Sequence, residues 1–285
     1  MIDLHTHSTF SDGTETPTEL VATARAAGVT VLALTDHDTT AGWDEAAAAV
    51  SSSGITLVRG AEFSTESPDG RGGTVTAHLL GYLFDPAAPD VVAEQERIRE
   101  ARRARVWEMG ARIGADHPGI DGDSLLARLP ADSPAGRPHI GQALVELDVV
   151  ASVTDAFEHI LRKDGPYYVE KYNTPIATAI AMIDAAGGVA VFAHPFARKR
   201  GPTVDASVLA DLAGRGLAGI EVDHPDHAAD DRATLRDVAA ATGLLATGSS
   251  DYHGTNKTTG IAVETTAREQ YDALVARATG VGVLA

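Results

Sequence analysis

Seven short runs of aliphatic residues punctuate the chain, and most lack the polar alternation of a half-exposed strand. Ile2–Leu4, Val29–Leu34, Ile55–Gly60, Val75–Leu83, Val189–Phe192, Gly219–Val222 and Leu244–Ala246 read as strands or strand starts. Continuous apolar strands are covered on both faces. Helix-start signals stand between them. In Thr16-Pro17-Thr18-Glu19 an N-cap threonine precedes proline at the first helical position and glutamate at the third, which is a capping box. Thr174-Pro175 opens another helix in the same way. Strands alternating with helices imply a parallel sheet, and 285 residues suit a closed or nearly closed α/β barrel.

The rhythm breaks between about Asp85 and Asn173, where the pattern is helical and no convincing strand stands out. Within it, Val92–Ile113 carries Glu94, Glu96, Arg97, Arg99, Glu100, Arg102, Arg103 and Arg105, a density of charge that reads as a solvated helix face. The expected organisation is a barrel built from residues 1–84 and 174–285. A helical subdomain over 85–173 is inserted into it and caps the C-terminal face.

Composition removes several classes of function. The chain has no cysteine, which excludes disulfides, thiol catalysis and thiolate metal sites and fits a cytoplasmic location. Met1-Ile2-Asp3-Leu4-His5 enters the first strand at once, so no signal peptide is expected, and no apolar run is long enough to span a membrane. The formal charge of −17 opposes tight binding to long nucleic acids, which needs clustered Lys and Arg.

The chemistry lies at the strand ends. His5-Thr6-His7 closes the first strand, and alternate residues of a strand point the same way, so both imidazoles can meet one ion. Asp12 follows in Ser11-Asp12-Gly13. Thr35-Asp36-His37-Asp38 closes the second strand, Glu62 follows the third, His78 lies in the fourth, and His194 follows the next apolar strand in Ala193-His194-Pro195. Ser250-Asp251-Tyr252-His253-Gly254 follows the last. One histidine alone is as readily a hydrogen-bonded core residue. Six at strand ends, accompanied by carboxylates, point to a metal cluster, because the βα loops of a parallel barrel converge on that face.

Together these motifs resemble the PHP (polymerase and histidinol phosphatase) family, closest to its small-nucleotide phosphatase and RNase AM-like branch. The resemblance implies a distorted seven-stranded, TIM-like β/α barrel with an inserted helical cap and three metal positions. One ion would take His5, His7, Glu62 and Asp251. A second would take Glu62, His78 and His194, with Glu62 bridging, and a third Asp12, His37 and His253. Nitrogen and carboxylate donors without sulfur suit manganese, iron or zinc. Two to three such ions would lower the pKa of a shared water, giving a bridging hydroxide, and offset charge building on phosphoryl oxygens.

In the insertion, Gly136-Arg137-Pro138-His139 sets a guanidinium and an imidazole at a helix start, and the resemblance places them on a substrate phosphate. Arg162 and Lys163 offer a second phosphate contact, with solvated charges the plain alternative. His224 is a candidate proton donor or substrate contact beside His194 and Glu62, whereas His227, His117 and His159 read as incidental. The expected reaction is metal-dependent hydrolysis of a phosphomonoester on a small nucleotide, a 3′,5′-bisphosphate or a 5′-mononucleotide. Alternatives are 5′→3′ exonuclease action on short RNA and hydrolysis of histidinol phosphate. A deaminase-like amidohydrolase shares His-x-His but often has a bridging lysine at a strand end, and none is so placed. An accessory module of a polymerase is the non-enzymatic alternative.

Overall fold

The computed structural model describes residues 1–130 and 133–285. In chain order its elements are β1 (Ile2–Asp3), α1 (Pro17–Ala26), β2 (Val31–Leu34), α2 (Trp43–Val50), β3 (Thr56–Pro68), β4 (Thr74–Tyr82), α3 (Pro89–Gly114), α4 (Gly122–Ala127), α5 (Arg137–Glu146) and α6 (Val153–His159). There follow β5 (Thr174–Pro175), α7 (Ile176–Ala185), β6 (Val189–Ala193), α8 (Ala206–Ala213), β7 (Gly219–Asp223), α9 (Ala229–Thr242), β8 (Leu245–Gly248) and α10 (Arg268–Arg277). Two compact units result. Residues 1–94 and 173–285 form one, and residues 95–172 the other. The sequence reading put the boundaries at 84/85 and 173/174; α3 is a single helix whose first turn, through Val91, belongs to the core of the first unit.

The first unit is a barrel-shaped sheet in the order β1-β2-β3-β4-β6-β7-β8, with the short β5 beside β3. A bridge between Thr6 and Tyr252 joins its two ends, with the His7 amide donating to the Tyr252 carbonyl at 2.9 Å. Strand residues alternate between two apolar clusters. Val31, Ala33, Val58, Leu80, Val189 and Val191 belong to one, which α10 joins through Tyr271 and Leu274. Leu32, Leu34, Leu57, Leu79, Ala190 and Phe192 pack instead with residues of α1, α2, α7, α8 and α9. Both faces of these strands are buried, which is why their sequences lack polar alternation.

One strand departs from the expected parallel arrangement. β4 runs antiparallel to both β3 and β6. Parallel neighbours need a crossover of a dozen residues or more, and β3 and β4 are joined only by a turn over 69–73. There the Asp69 carboxylate accepts from the Arg71 and Gly73 amides at 2.7 and 2.9 Å. Thr174-Pro175, expected as a capped helix start, instead pairs in parallel with Thr65-Glu66, and α7 begins at Ile176 with no side-chain cap.

In the second unit, among the described residues, four helical stretches enclose a separate core that includes Val106, Met109, Ile140, Leu144 and Leu161. Asp121 caps α4 and Ser152 caps α6, each side chain accepting from the amide three residues on at 2.8 and 3.1 Å.

Candidate metal centre

The folding of the barrel unit brings all nine predicted metal ligands together. His5 and His7 leave β1 on either side of Thr6, whose amide donates to Thr35 Oγ1 at 3.2 Å. The following loop doubles back to carry Asp12, and Gly13 is required there, because a Cβ would lie 2.5 Å from the His7 carbonyl oxygen. His37 follows β2 and bridges to Glu62, which lies inside the long β3 rather than after it. His78 stands in mid-β4. His194 follows β6, and Asp251 and His253 follow β8. His194 and Asp251 have φ of 30° and 51°, so the chain turns in the left-handed region where these side chains are presented.

Three groups of donor atoms each fit within 4.8 Å: His5, His7, Glu62 and Asp251; His37, Glu62 and His78; and His7, Asp12, His37 and His253. Glu62 is the hub. Its Oε2 lies 3.1 Å from the Nε2 atoms of both His5 and His7 and 3.2 Å from His37 Nδ1. Its Oε1 lies 2.7 Å from His78 Nδ1 and 3.0 Å from His194 Nε2. Asp251 Oδ1 closes the first group at 3.4 and 3.5 Å from the same two Nε2 atoms. Asp12 Oδ1 lies 3.3 Å from His253 Nε2.

Electrostatics supports this donor set. Burial alone would raise the Glu62, Asp12 and Asp251 carboxyls, but the surrounding imidazoles, and Lys257 and Arg200 at Asp251, hold all three well below the usual carboxylate range. Burial, with Arg200 next, pushes His194 down to about 3; burial, with His7 next, pushes His253 down to about 4. Both are neutral imidazoles at pH 7. Burial would lower His5 and His7 too, yet neighbouring carboxylates lift His7 to about 9 and His5 well above the ordinary value. Their Nε2 atoms are only 3.0 Å apart, so a proton there stands where a cation with four nitrogen and oxygen donors would. The donor set fits divalent metal ions.

Four further buried carboxylates carry the ligand segments, and the sequence reading does not single them out as site residues. Glu221, fully buried in β7, accepts from His5 Nδ1 at 3.0 Å, from the His194 amide at 2.7 Å and from the Ser249 hydroxyl. Asp36 takes the Ser8 amide and the Ser8 and Ser11 hydroxyls. Asp38 takes the amide and hydroxyl of Ser64, and Asp3 those of Ser250. A lone carboxylate amid Ile220 and Val222 was the available signal for Glu221. A carboxylate on the remote nitrogen of a ligating imidazole fixes its tautomer and raises its basicity. Glu221→Gln is therefore expected to weaken metal affinity roughly 10- to 100-fold, read by titrating metal-stripped protein. Unchanged affinity would remove Glu221 from the centre.

His224 is buried beside the cluster, its Nδ1 accepting from the Asp226 amide at 3.0 Å and its Nε2 3.4 Å from Asp251 Oδ2. The proton of its neutral form is therefore assigned to Nε2, facing the centre. His227 is committed to the Val222 carbonyl and the Phe196 amide. Two cations absent from the sequence reading also converge here. Arg200 Nη2 and Lys257 Nζ lie 2.6 and 2.7 Å from Asp251 Oδ2, leaving Oδ1 toward the imidazoles.

In the second unit, Arg137 begins α5, where its Nη1 donates to the Leu161 carbonyl at 2.9 Å and its guanidinium lies over Phe157. His139 Nδ1 accepts from the Gly136 amide at 3.0 Å, so it also caps the helix. Arg162 and Lys163 are exposed, and Arg162 Nε lies 3.4 Å from Asp164.

Comparison with known proteins agrees with this geometry. The PHP domain sequence model matches residues 3–108. The 3′,5′-nucleoside bisphosphate phosphatase of Chromobacterium violaceum is 38% identical, covering 88% of this chain and 87% of its own length. A 5′-3′ exoribonuclease of Haemophilus influenzae is 36% identical over 88% of this chain and 89% of its own. A crystal structure from Bifidobacterium adolescentis superposes with a TM-score of 0.91 at 35% identity, covering 97% and 96% of the two chains. The chain belongs to the PHP domain family and is a metal-dependent phosphoesterase of that family.

Proposed function

We propose that this phosphoesterase removes a phosphoryl group from a small nucleotide that carries a second phosphate. The convergence of five imidazoles on the two oxygens of Glu62 carries the catalytic half of this reading. His5, His7, Glu62 and Asp251 would hold one ion, Glu62, His78 and His194 a second, and Asp12, His37 and His253 a third, drawn from manganese, iron or zinc. Bound there, divalent ions supply an activated water and charge stabilisation for in-line displacement. The protein's own residues do the rest. Glu62 and Asp251 would supply anionic oxygen donors, Glu221 would orient His5, and the Nε2–H of neutral His224 would donate a hydrogen bond to a substrate oxygen. The unit over 95–172 would serve as the substrate-capping subdomain, with Arg137 and His139 on the remote phosphate. The name of the 38% identical relative supports this substrate class.

The deciding experiment compares adenosine 3′,5′-bisphosphate, adenosine 5′-monophosphate, histidinol phosphate and a 5′-phosphorylated tetraribonucleotide by kcat/KM with added Mn²⁺, Zn²⁺ or Fe²⁺. The bisphosphate is expected to lead, and chelation with EDTA should remove activity toward all four. A higher value for the tetraribonucleotide would overturn the monoesterase reading in favour of a 5′→3′ exoribonuclease, the name borne by the 36% identical relative.

A further inference from the structure

Neighbouring strands of the barrel are held by backbone ladders, but the two ends of the sheet are not. Among the described residues, the chain after β1 and the chain after β8 share one bridge, Thr6 with Tyr252. Side chains fasten much of what remains of this seam. Nearest the strands, the Asp3 carboxylate takes the Ser250 amide and hydroxyl at 3.1 and 2.6 Å. Farther out, three contacts join the loop that carries Asp12 to the loop that carries His253. The Glu15 carboxylate accepts from the Tyr252 hydroxyl at 2.9 Å, and the same oxygen accepts from the Thr23 hydroxyl at 3.1 Å. Thr14 Oγ1 accepts from the Thr255 amide at 2.9 Å, and Asn256 Nδ2 donates to the Asp12 carbonyl at 2.8 Å. The loops approach so closely that a Cβ on Gly254, whose φ is 65°, would stand 2.0 Å from Thr14 Oγ1.

The three groups of donor atoms depend on this seam unequally. His37, Glu62 and His78 come from the side of β2, β3 and β4, where ladders run between neighbours. His5, His7, Glu62 and Asp251 do cross the seam, but Asp251 is fixed separately, by Asp3 through Ser250 and by Arg200 and Lys257. In the group of His7, Asp12, His37 and His253, Asp12 and His253 stand on opposite sides of the seam, beyond the Thr6–Tyr252 bridge. A site performs well only when its atoms are held to within about 0.5 Å, and partners that orient metal ligands typically contribute about 10- to 100-fold in affinity.

We infer that Glu15, Tyr252 and Asn256 form a latch across the barrel seam that positions Asp12 and His253 and sets the metal affinity of the group these two ligands share. They are positioning residues, since none of them belongs to a donor group. The latch joins two loops, and Thr14 and Thr255 within it are exposed, so it can open while the strand ladders stay intact. It presupposes the reading that divalent ions occupy these donors, and it singles out one ion as held by loops rather than by strands.

The test is manganese titration of the full-length protein after stripping with EDTA, with bound ions counted per chain. Asp12→Asn identifies the binding class supplied by the group of Asp12 and His253, and His78→Asn the class supplied by His37, Glu62 and His78. Tyr252→Phe and Asn256→Ala should each weaken the first class by about 10- to 100-fold and leave the second at wild-type affinity. Glu15→Ala should do the same, and Glu15→Gln should recover much of the loss, because its amide oxygen still accepts from a hydroxyl. A latch that served the fold alone would lower the melting temperature of the stripped protein while the two classes kept their affinities or fell together, and either pattern overturns the proposal. If Tyr252→Phe does not fold, Asn256→Ala decides, since it trims only a half-buried loop side chain. If Asp12→Asn removes no class, the metal assignment of that group fails and the latch with it. Affinities that match between wild type and the latch variants overturn the latch alone.

Discussion

Replacing Glu62 with glutamine should lower kcat by at least ~10²-fold on every phosphoester the protein hydrolyses, the scale of losing one strong electrostatic contributor in an active site. The change is isosteric, and Glu62 stands inside β3 between Ala61 and Phe63, both fully buried, so the fold should survive. What changes is charge and donor chemistry. Five imidazoles lie within 3.2 Å of its two oxygens. An amide offers one neutral acceptor and, on its other side, two N–H donors that repel a cation. The variant should therefore lose metal as well as rate, and metal content per chain should be measured beside kcat. Turnover near that of wild type, with metal content unchanged, would show that Glu62 does not hold the catalytic ions.

Arg137→Ala should cut kcat/KM for adenosine 3′,5′-bisphosphate by roughly 10- to 100-fold, because a charge-assisted hydrogen bond contributes about 1.5–3 kcal/mol. Binding energy from a remote phosphate orients the reacting one, so hydrolysis of a small aryl phosphate should fall less. Arg137→Lys should restore only part of the loss, since an ammonium cannot reproduce the planar fork. Arg137 also donates to the Leu161 carbonyl, and a melting temperature for each variant separates binding from disrupted packing. If both substrates fall equally, Arg137 acts on the scissile phosphate. If neither falls, the residue is structural and the proposed contact is wrong.

The sequence makes the ligands legible because each sits where an apolar strand or its following loop reaches the same end of the barrel. His5 and His7, His194, and Asp251 with His253 are readable from strand type alone. The supporting carboxylates are not, since Asp3, Asp36 and Asp38 act through serines distant in sequence: Asp3 through Ser250, Asp36 through Ser8 and Asp38 through Ser64. Arg200 and Lys257 meet at Asp251 from 51 and 6 residues away, and nothing local marks either. Arg102 and Arg105 mislead for a different reason. A basic helix segment usually faces water, and only the packing of Tyr168 and the start of α5 turns part of it inward. The reversal of β4 was not legible, because the apolar runs end at Gly60 and resume at Val75, leaving residues 61–74 for a crossover, whereas β3 continues through its polar half to Pro68.

That reversal has a consequence for how this chain can change in length. His78 comes from the middle of a strand held on both sides, opposite Ser64 on β3 and Ala193 on β6. Side chains alternate faces along a strand, so one residue gained or lost between Thr74 and His78 would bring a neighbour to the His78 position and turn the imidazole to the opposite face. The hairpin therefore has a reading frame. Insertions and deletions that keep the centre intact are confined to its tip, residues 69–73, where Asp69 closes the turn and no ligand depends on the count.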